Sequence, residues 1–154
     1  MPHKRAWVSY IEGKYRIALT VHRRPVDLED LTATQTEIER IKYELVRHEA
    51  LRAGEPILAY AGRWGECFVI DGHTRARVQW DLGAKTIEAM LYTSAEIEVD
   101  AELHRIALDA GGGQVKRIWQ VPILDRLGKG TEAWEKYRTE LLDAWRADQE
   151  SRDA

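Results

Sequence analysis

The stretch Val69-Ile70-Asp71-Gly72-His73-Thr74-Arg75-Ala76 carries the strongest structural signal in this chain of 154 residues. The apolar run Cys67–Ile70 predicts a buried strand, and the residues from His73 to about Leu82 predict a helix. Gly72 therefore stands at a strand-to-helix turn, where the lack of a Cβ lets the backbone approach a ligand closely.

The turn at Gly72 has the features of an anion-binding site. The N–H groups of residues 73–75 have no acceptor inside the predicted helix, and they carry the positive end of its dipole. Arg75 adds a planar, charged fork that suits phosphate oxygens. Asp71 could hold a ribose hydroxyl, a metal ion or Arg75 itself. An Asp-Gly turn with an exposed arginine explains the same residues without a ligand, so both interpretations stay open at this point.

Composition and charge exclude several classes of protein. A net charge of -3 and a pI of about 6.0 exclude a strongly basic nucleic-acid coat. No apolar run approaches the ~18 residues of a membrane helix, and residues 1–7 lack the apolar stretch of a signal peptide. Neither a Walker-type G-x-x-x-x-G-K-[ST] pattern nor a dinucleotide G-x-G-x-x-G pattern occurs. We therefore expect a cytoplasmic protein with no membrane partner.

The segments before the turn predict mostly short elements. Alternation over residues 6–21 predicts a β-hairpin around Glu12-Gly13-Lys14, which Pro25 and the acidic turn 27–30 end. Thr36-Glu37-Ile38-Glu39 is interpreted as a capping box that begins a helix from about residue 36 to 52. Two further strands are predicted at Pro56–Ala61 and Thr86–Tyr92.

The C-terminal third predicts helices. Residues 100–110 and 114–120, separated by three glycines, have a helix-turn-helix outline. One face of a terminal helix carries an apolar stripe that is expected to dock on the sheet, with a homodimer contact as the alternative; its members are Trp134, Tyr137, Leu141 and Trp145. The predicted fold class is α+β, with a core domain at residues 1–95 that includes the hairpin and a helical extension at 96–154 packed on it.

The Gly72 turn resembles the D-G-H-x-R motif of the ParB/sulfiredoxin superfamily. The resemblance covers about residues 26–92 and extends to three other segments in the family's order. Leu31–Ile38 resembles the L-x-x-T-Q-x-E segment that opens the first helix, Glu55-Pro56-Ile57 resembles the P-I-x-V strand entry, and Leu82-Gly83 with Thr86-Ile87 resembles the L-G…I-P-V ending, with Glu88 where proline is common.

The resemblance implies a small α+β nucleotide-binding domain. Among its members, partition ParB proteins bind and hydrolyse CTP and clamp DNA, sulfiredoxins use ATP to activate a peroxiredoxin sulfinate, free serine kinases phosphorylate the hydroxyl of an amino acid, and some relatives are described as nucleases. It implies ATP, ADP or CTP with Mg²⁺ as cofactors. The residues expected to bind the nucleotide phosphates are Asp71, Gly72, His73, Thr74 and Arg75.

Two branches of the family fit the sequence poorly. Sulfiredoxin chemistry needs a cysteine inside the phosphate loop, where this chain has His73, and its single thiol Cys67 lies on the predicted strand. Partition ParB proteins need a DNA-reading helix-turn-helix domain. Here residues 99–128 balance four basic against four acidic side chains, so DNA binding is not expected.

The free serine kinase branch fits best. Glu37 is the candidate base that accepts the proton of an attacking hydroxyl, while Mg²⁺ and Arg75 hold the phosphates and His73 contacts a phosphate or the leaving oxygen. Alternatively, Glu37 only stabilises the helix dipole. Thr74 departs from the D-G-H-H-R form of the motif. The expected function is phosphoryl transfer to a small hydroxyl metabolite or nucleotide hydrolysis, with a non-catalytic, nucleotide-gated module that binds DNA or a protein as the alternative.

Overall fold

The computed structural model describes the backbone of residues 2–153 and the side chains of residues 6–152. The helices in this part of the chain are α1 (Pro2–Tyr15), α2 (Arg40–Glu49), α3 (His73–Asp81), α4 (Ile97–Ala110) and α5 (Glu132–Asp153). The strands are β1 (Thr20–Asp27), β2 (Leu31–Thr32), β3 (Ile38–Glu39), β4 (Ile57–Ala61), β5 (Cys67–Asp71), β6 (Thr86–Thr93) and β7 (Ile123–Leu124). None of these helices is both long and apolar enough to span a bilayer.

A mixed five-stranded sheet with the order β1-β6-β4-β5-β2 forms the centre of the fold. The central strand β4 runs parallel to β6 and antiparallel to β5. At the edges, β1 pairs antiparallel with β6, and β2 pairs parallel with β5. Strands β3 and β7 form a separate parallel pair. The predicted α+β class is confirmed.

Helices cover both faces of the sheet. On one face Ala76 of α3 packs against Val69 and Ile57. On the other face Ile11 of α1 and Leu103 of α4 pack in a cluster with strand residues. Because successive strand residues point to opposite faces, a strand covered on both sides must be apolar throughout. This requirement explains the continuous apolar run of β5.

The central predictions are confirmed. Strands β4 and β5, helix α3 and strand β6 match their predicted bounds to within one residue. Each is an apolar or periodic segment bounded by glycine or proline, and such segments give the strongest local signals.

The predicted hairpin at residues 6–21 is wrong. Residues up to Tyr15 form helix α1, and only the residues from Thr20 onward are extended. Trp7, Ile11 and Tyr15 are spaced four residues apart, so they share one helix face, and Ile11 is completely buried. The aromatic and β-branched residues that suggested strands therefore serve a helix that packs on the sheet, and packing overrides local β-propensity.

Pro25 does not end a strand, as the sequence predicted, but lies inside β1 opposite Glu88 of β6. Strand β1 is an edge strand, where a residue without an N–H is tolerated because no neighbour needs its hydrogen bond on the outer side.

The predicted capping box is also wrong. Helix α2 begins at Arg40, and its N-cap residue Glu39 makes no side-chain capping hydrogen bond. The preceding residues are extended because β3 pairs with β7, and the Ile38 N–H donates to the Pro122 carbonyl at 2.8 Å. This partner lies far away in sequence, so the local pattern could not reveal it.

The C-terminal third differs from the prediction in two ways. Helix α4 matches the predicted helix, but residues 114–120 contain only the short 3-10 helix Ile118–Gln120, so the helix-turn-helix outline is wrong. The stripe on α5 docks on α2 rather than on the sheet. Trp134 and Leu142 are 5% and 6% exposed and pack in one cluster with Ile41 and Leu45.

Substituting Gly13→Ala distinguishes the helix from the predicted hairpin turn. A Cβ at Gly13 meets no atom within 4 Å. In a helix, alanine stabilises relative to glycine, so we expect the free energy of unfolding in urea to rise by about 0.5–1 kcal/mol. A fall in stability would contradict the assignment of α1.

Candidate functional site

The turn between β5 and α3 requires its glycine. Gly72 has a φ of +109°, in the left-handed region that side chains disfavour. A Cβ at this position would lie 2.5 Å from Cγ2 of Ile57, which is fully buried. The predicted strand–glycine–helix arrangement is therefore present, and it points the first N–H groups of α3 away from the helix.

The Arg75 side chain binds oxygen atoms inside the protein. It is only 7% exposed. The guanidinium Nη1 donates to the Glu55 carbonyl at 2.8 Å and to the Pro56 carbonyl at 3.0 Å, and Nη2 donates to Asp71 Oδ2 at 3.3 Å. Burial lowers the pKa of Arg75 to about 10, which leaves it charged at neutral pH. The fork that the sequence assigned to phosphate oxygens thus binds the protein's own oxygens.

A second layer of charges surrounds Arg75. Arg52 donates to Asp71 Oδ2 at 3.3 Å and to Glu55 Oε2 at 2.9 Å, and Arg152 of α5 donates to Glu55 Oε1 at 3.0 Å. Burial alone would raise the pKa of the Glu55 carboxyl, but Arg52, Arg152 and Arg75 hold it below its usual value. Arg152 also pairs with Asp148 at 3.2 Å, so three arginines meet three carboxylates and the charges of the network balance. Of the three partners considered for Asp71, the structure shows Arg75.

His73 is neutral and hydrogen-bonded to the backbone. It is 3% exposed, and its Nε2 accepts a hydrogen bond from the Thr34 N–H at 3.0 Å. The Thr34 hydroxyl in turn donates to the Val69 carbonyl at 2.5 Å. Burial lowers the pKa of His73 to about 4, against the opposing charge of Asp71. A neutral imidazole that accepts at Nε2 carries its proton on Nδ1, so Nε2 is not available to a phosphate.

A small cavity of about 220 Å³ opens beside the turn, between α2, α3 and α5. The five predicted phosphate-binding residues all line it. Other elements add Gln35, Lys42, Arg52 and Leu141. Lys42 is 42% exposed and makes one ion pair, with Glu39 at 3.4 Å. The cavity is therefore lined by the first residues of α3 together with Lys42 and Arg52.

Glu37 lies in a different place. It lines a neighbouring cavity on the other side of the start of α2, and its carboxylate binds Arg126 through two hydrogen bonds of 2.6 Å each. The hydrogen bonds from Arg126 lower the pKa of the Glu37 carboxyl. Segment 31–38 does reach the turn, but it does so through Thr34 and Gln35 rather than through Glu37.

Sequence reasoning missed several residues of the site. Thr34 and Gln35 stand inside the quoted T-Q segment, and Glu55 precedes the quoted proline, so their positions carried a usable signal. The positions of Lys42, Arg52 and Arg126 carried no such signal, because only the tertiary packing of the chain brings these residues to the cavities.

The part of the chain described contains no group of three or more His, Cys, Asp or Glu side chains able to hold a metal ion. Mg²⁺ at nucleotide sites usually takes one or two carboxylates and completes its shell with phosphates and water. Asp71 is the carboxylate at the turn that would serve, in competition with its two arginines.

Cys67 behaves as a core residue. It is partly buried on β5 and packs against the cluster that contains Val69. Burial raises the pKa of its thiol to about 11, so little reactive thiolate forms at neutral pH. This agrees with the interpretation that Cys67 is structural.

No protein-family model matches the sequence, and no curated protein matches it significantly. Among solved structures, the chain is similar to protein Atu1540 from Agrobacterium tumefaciens, with 15% identity and a TM-score of 0.50 over 66% of this chain and 62% of that one. It also matches a pNOB8-like ParB N-domain, with 19% identity and a TM-score of 0.42 over 62% of this chain and 36% of that one. The C2221 form of a Pnob8-like ParB-N domain matches with 16% identity and a TM-score of 0.38 over 87% and 49%.

These likenesses concern the fold alone, because every identity is below 20%. The chain spans less than two thirds of each matched structure. The match to protein Atu1540 shows a shared α+β fold. The ParB/sulfiredoxin resemblance rests on the motifs quoted in the sequence analysis.

Substituting Arg75→Ala is expected to act on stability. It leaves two carbonyls and a carboxylate without their buried partner, and breaking a buried pair of this kind costs about 3–5 kcal/mol. Urea denaturation should show this loss, whereas Arg24→Ala on the exposed strand β1 should change stability by less than about 0.5 kcal/mol. Equal stability of the two variants would show that Arg75 is not a structural clamp.

His73 makes stability depend on pH. The ordinary pKa of a histidine, which applies in the unfolded chain, is 6.5, whereas burial lowers the pKa of folded His73 to about 4. The stabilisation that the buried, neutral His73 gives to the folded chain is therefore complete above pH 6.5 and is lost as the pH falls towards 4. Between about pH 7.5 and 5.0 we expect the chain to lose about 2 kcal/mol more stability than the variant His73→Gln, whose amide oxygen can still accept from Thr34. If urea denaturation showed that the stability of the two proteins changes with pH in parallel, His73 would not be the origin of the pH dependence.

Proposed function

We propose that the chain binds a nucleotide through its phosphate groups. The proposal starts from the ParB/sulfiredoxin-like motifs and from the small cationic cavity at the start of α3. The observation that carries this proposal is that the first residues of α3 line one cavity together with Lys42 and Arg52. Helix N-termini bind anions because their N–H groups are unpaired and their dipole is positive. ATP, ADP and CTP are the nucleotides that the family resemblance implies.

The size of the cavity supports phosphate recognition rather than enclosure of a whole nucleotide. Sites that enclose a complete ligand usually measure about 300–1,000 Å³, and this cavity measures about 220 Å³. The phosphates would occupy it, and the base and ribose would lie towards its mouth. Since Arg75 binds internal oxygens and Arg52 already pairs with Glu55 and Asp71, the side-chain charge most open to the phosphates would come from Lys42. Asp71 would hold Mg²⁺, which would offset the negative charge of the phosphates.

The finer proposal is phosphoryl transfer to a small hydroxyl compound, or hydrolysis of the nucleotide. In this scheme Glu37 accepts the proton of the attacking hydroxyl. Segment 35–42 separates the two cavities, with Gln35 and Lys42 on the side of the turn and Glu37 on the other. Glu37 would act across this boundary after leaving Arg126. His73, neutral and bound to Thr34, would position the turn instead of transferring a proton.

A second candidate is a nucleotide-gated binding module without turnover, whose partner is a protein or DNA. Two observations favour it: the proposed base is held by Arg126, and His73 is held by the backbone. A protein partner is favoured over DNA, because the chain carries a net charge of -3 and the predicted helix-turn-helix is absent from the described residues.

Binding is tested by calorimetry with ATP, ADP and CTP in the presence of Mg²⁺. Lys42→Ala should weaken the affinity about tenfold, which corresponds to ~1.4 kcal/mol, because one charge-assisted phosphate contact is lost. The exposed Lys85→Ala, which lies outside this cavity, is the matched control and should bind as the unchanged protein does. No binding of any nucleotide, or equal affinities of the two variants, would contradict the site.

Turnover in the same samples separates the two candidates. Phosphorus NMR with and without free serine detects phosphoserine or released phosphate. If Glu37 is the base, Glu37→Gln lowers turnover ~10²–10⁴-fold and leaves nucleotide affinity unchanged. Binding without turnover in the unchanged protein supports the module.

A further inference from the structure

A second cavity, of about 440 Å³, lies between the start of α2, the segment after β7 and α5. We call it the α5 groove. Its floor is apolar and consists of Ile41, Leu124, Leu127, Ala133 and Tyr137. Leu124 and Leu127 remain 37% and 38% exposed, so the chain itself does not cover them. The volume lies within the range of small-molecule sites.

The polar edge of the α5 groove is the ion pair between Glu37 and Arg126. Both guanidinium bonds are 2.6 Å long, and they form the planar two-pronged arrangement that arginine makes with a carboxylate. The Arg126 side chain is 70% exposed, whereas that of Glu37 is 23% exposed. An exposed ion pair contributes little net stability, so another carboxylate can replace Glu37 at little cost.

We propose that the α5 groove binds a small molecule with an apolar body and one carboxylate, which replaces Glu37 on Arg126. The apolar body would cover the exposed leucines and Tyr137, and burial of this surface would supply the net affinity. The fork of Arg126 would fix the orientation of the ligand, as a few placed polar groups do in apolar pockets.

The charges around the α5 groove disfavour more than one negative charge on the ligand. Four carboxylates and three cations line it: Glu37, Glu39, Asp125 and Glu140, and Arg40, Arg126 and Lys136. A carboxylate that replaces another carboxylate on Arg126 adds only one negative charge to this set. A doubly charged phosphate would meet stronger repulsion from the four acids.

The remaining charged groups are mostly occupied. Asp125 accepts from the N–H groups of Gly128 and Lys129, and Glu39 accepts from the Tyr137 hydroxyl at 3.3 Å. Within residues 6–152, Lys136 and Glu140 make no ion pair. They lie on the α5 side and can adjust to the ligand, since both are exposed.

The exchange also sets Glu37 free. A carboxylate no longer held by Arg126 returns towards its ordinary basicity, next to the occupied groove. Only this consequence rests on the proposed function: binding of the groove ligand would then release the base for the reaction.

Sodium octanoate is the probe, because it joins an eight-carbon apolar body to one carboxylate. Calorimetry without nucleotide should give a Kd of about 1 mM or tighter. Octanol, which lacks the charge, should bind at least tenfold more weakly. Arg126→Gln should reduce octanoate affinity about tenfold, whereas Arg23→Gln, in an exposed ion pair on β1, should leave it unchanged.

Two further measurements complete the test. Ala133→Trp fills the groove from an exposed position of α5 and should abolish octanoate binding without lowering the Tm. Carboxyl NMR should show the Glu37 pKa rising when octanoate is added. Absence of octanoate binding, or equal octanoate affinity of the unchanged protein and either Arg126→Gln or Ala133→Trp, would overturn the proposal. Because no nucleotide is present, these outcomes are independent of the test of the proposed function.

Discussion

The buried guanidinium of Arg75 holds the site together. It joins the carbonyls at the entry to β4 with the carboxylate at the end of β5, and it does so from the first turn of α3. A buried charge is tolerated only when its hydrogen bonds are satisfied, so these three elements must keep their relative positions. A Cβ at Gly72 would clash with the side chains of Ile57 and Arg75, which explains why the turn tolerates no side chain.

This constraint changes which residues can meet an anion. Arg75 shapes the turn and contributes its charge from within, while Lys42 and Arg52 face the cavity. Burial removes the charge of His73 at neutral pH and commits Nε2 to Thr34. A motif can thus be present in a sequence while its arginine and histidine side chains serve the structure.

Segment 35–42 connects the two cavities. Its two ends, Gln35 and Lys42, line the cavity at the turn, and residues 37 and 39–41 between them line the α5 groove. Helix α5 lines the two cavities through Leu141 and Tyr137, respectively. Helix α5 also reaches the charge network through Arg152. A ligand in either cavity therefore contacts elements that form the wall of the other, which is the physical basis for relating the two proposed sites.

The sequence by itself determined the α+β class, the strand–glycine–helix turn at Gly72 and the strands β4, β5 and β6, because these depend on apolar runs and on the conformational freedom of one glycine. Tertiary structure alone decided that residues 2–15 are helical, that residues 38–39 pair with β7 and that α5 docks on α2. It also decided that Arg75 binds carbonyls and that Glu37 binds Arg126. The physical reason is that each of these outcomes depends on a partner distant in sequence, and local periodicity holds no information about which distant group will satisfy a charge or cover an apolar face.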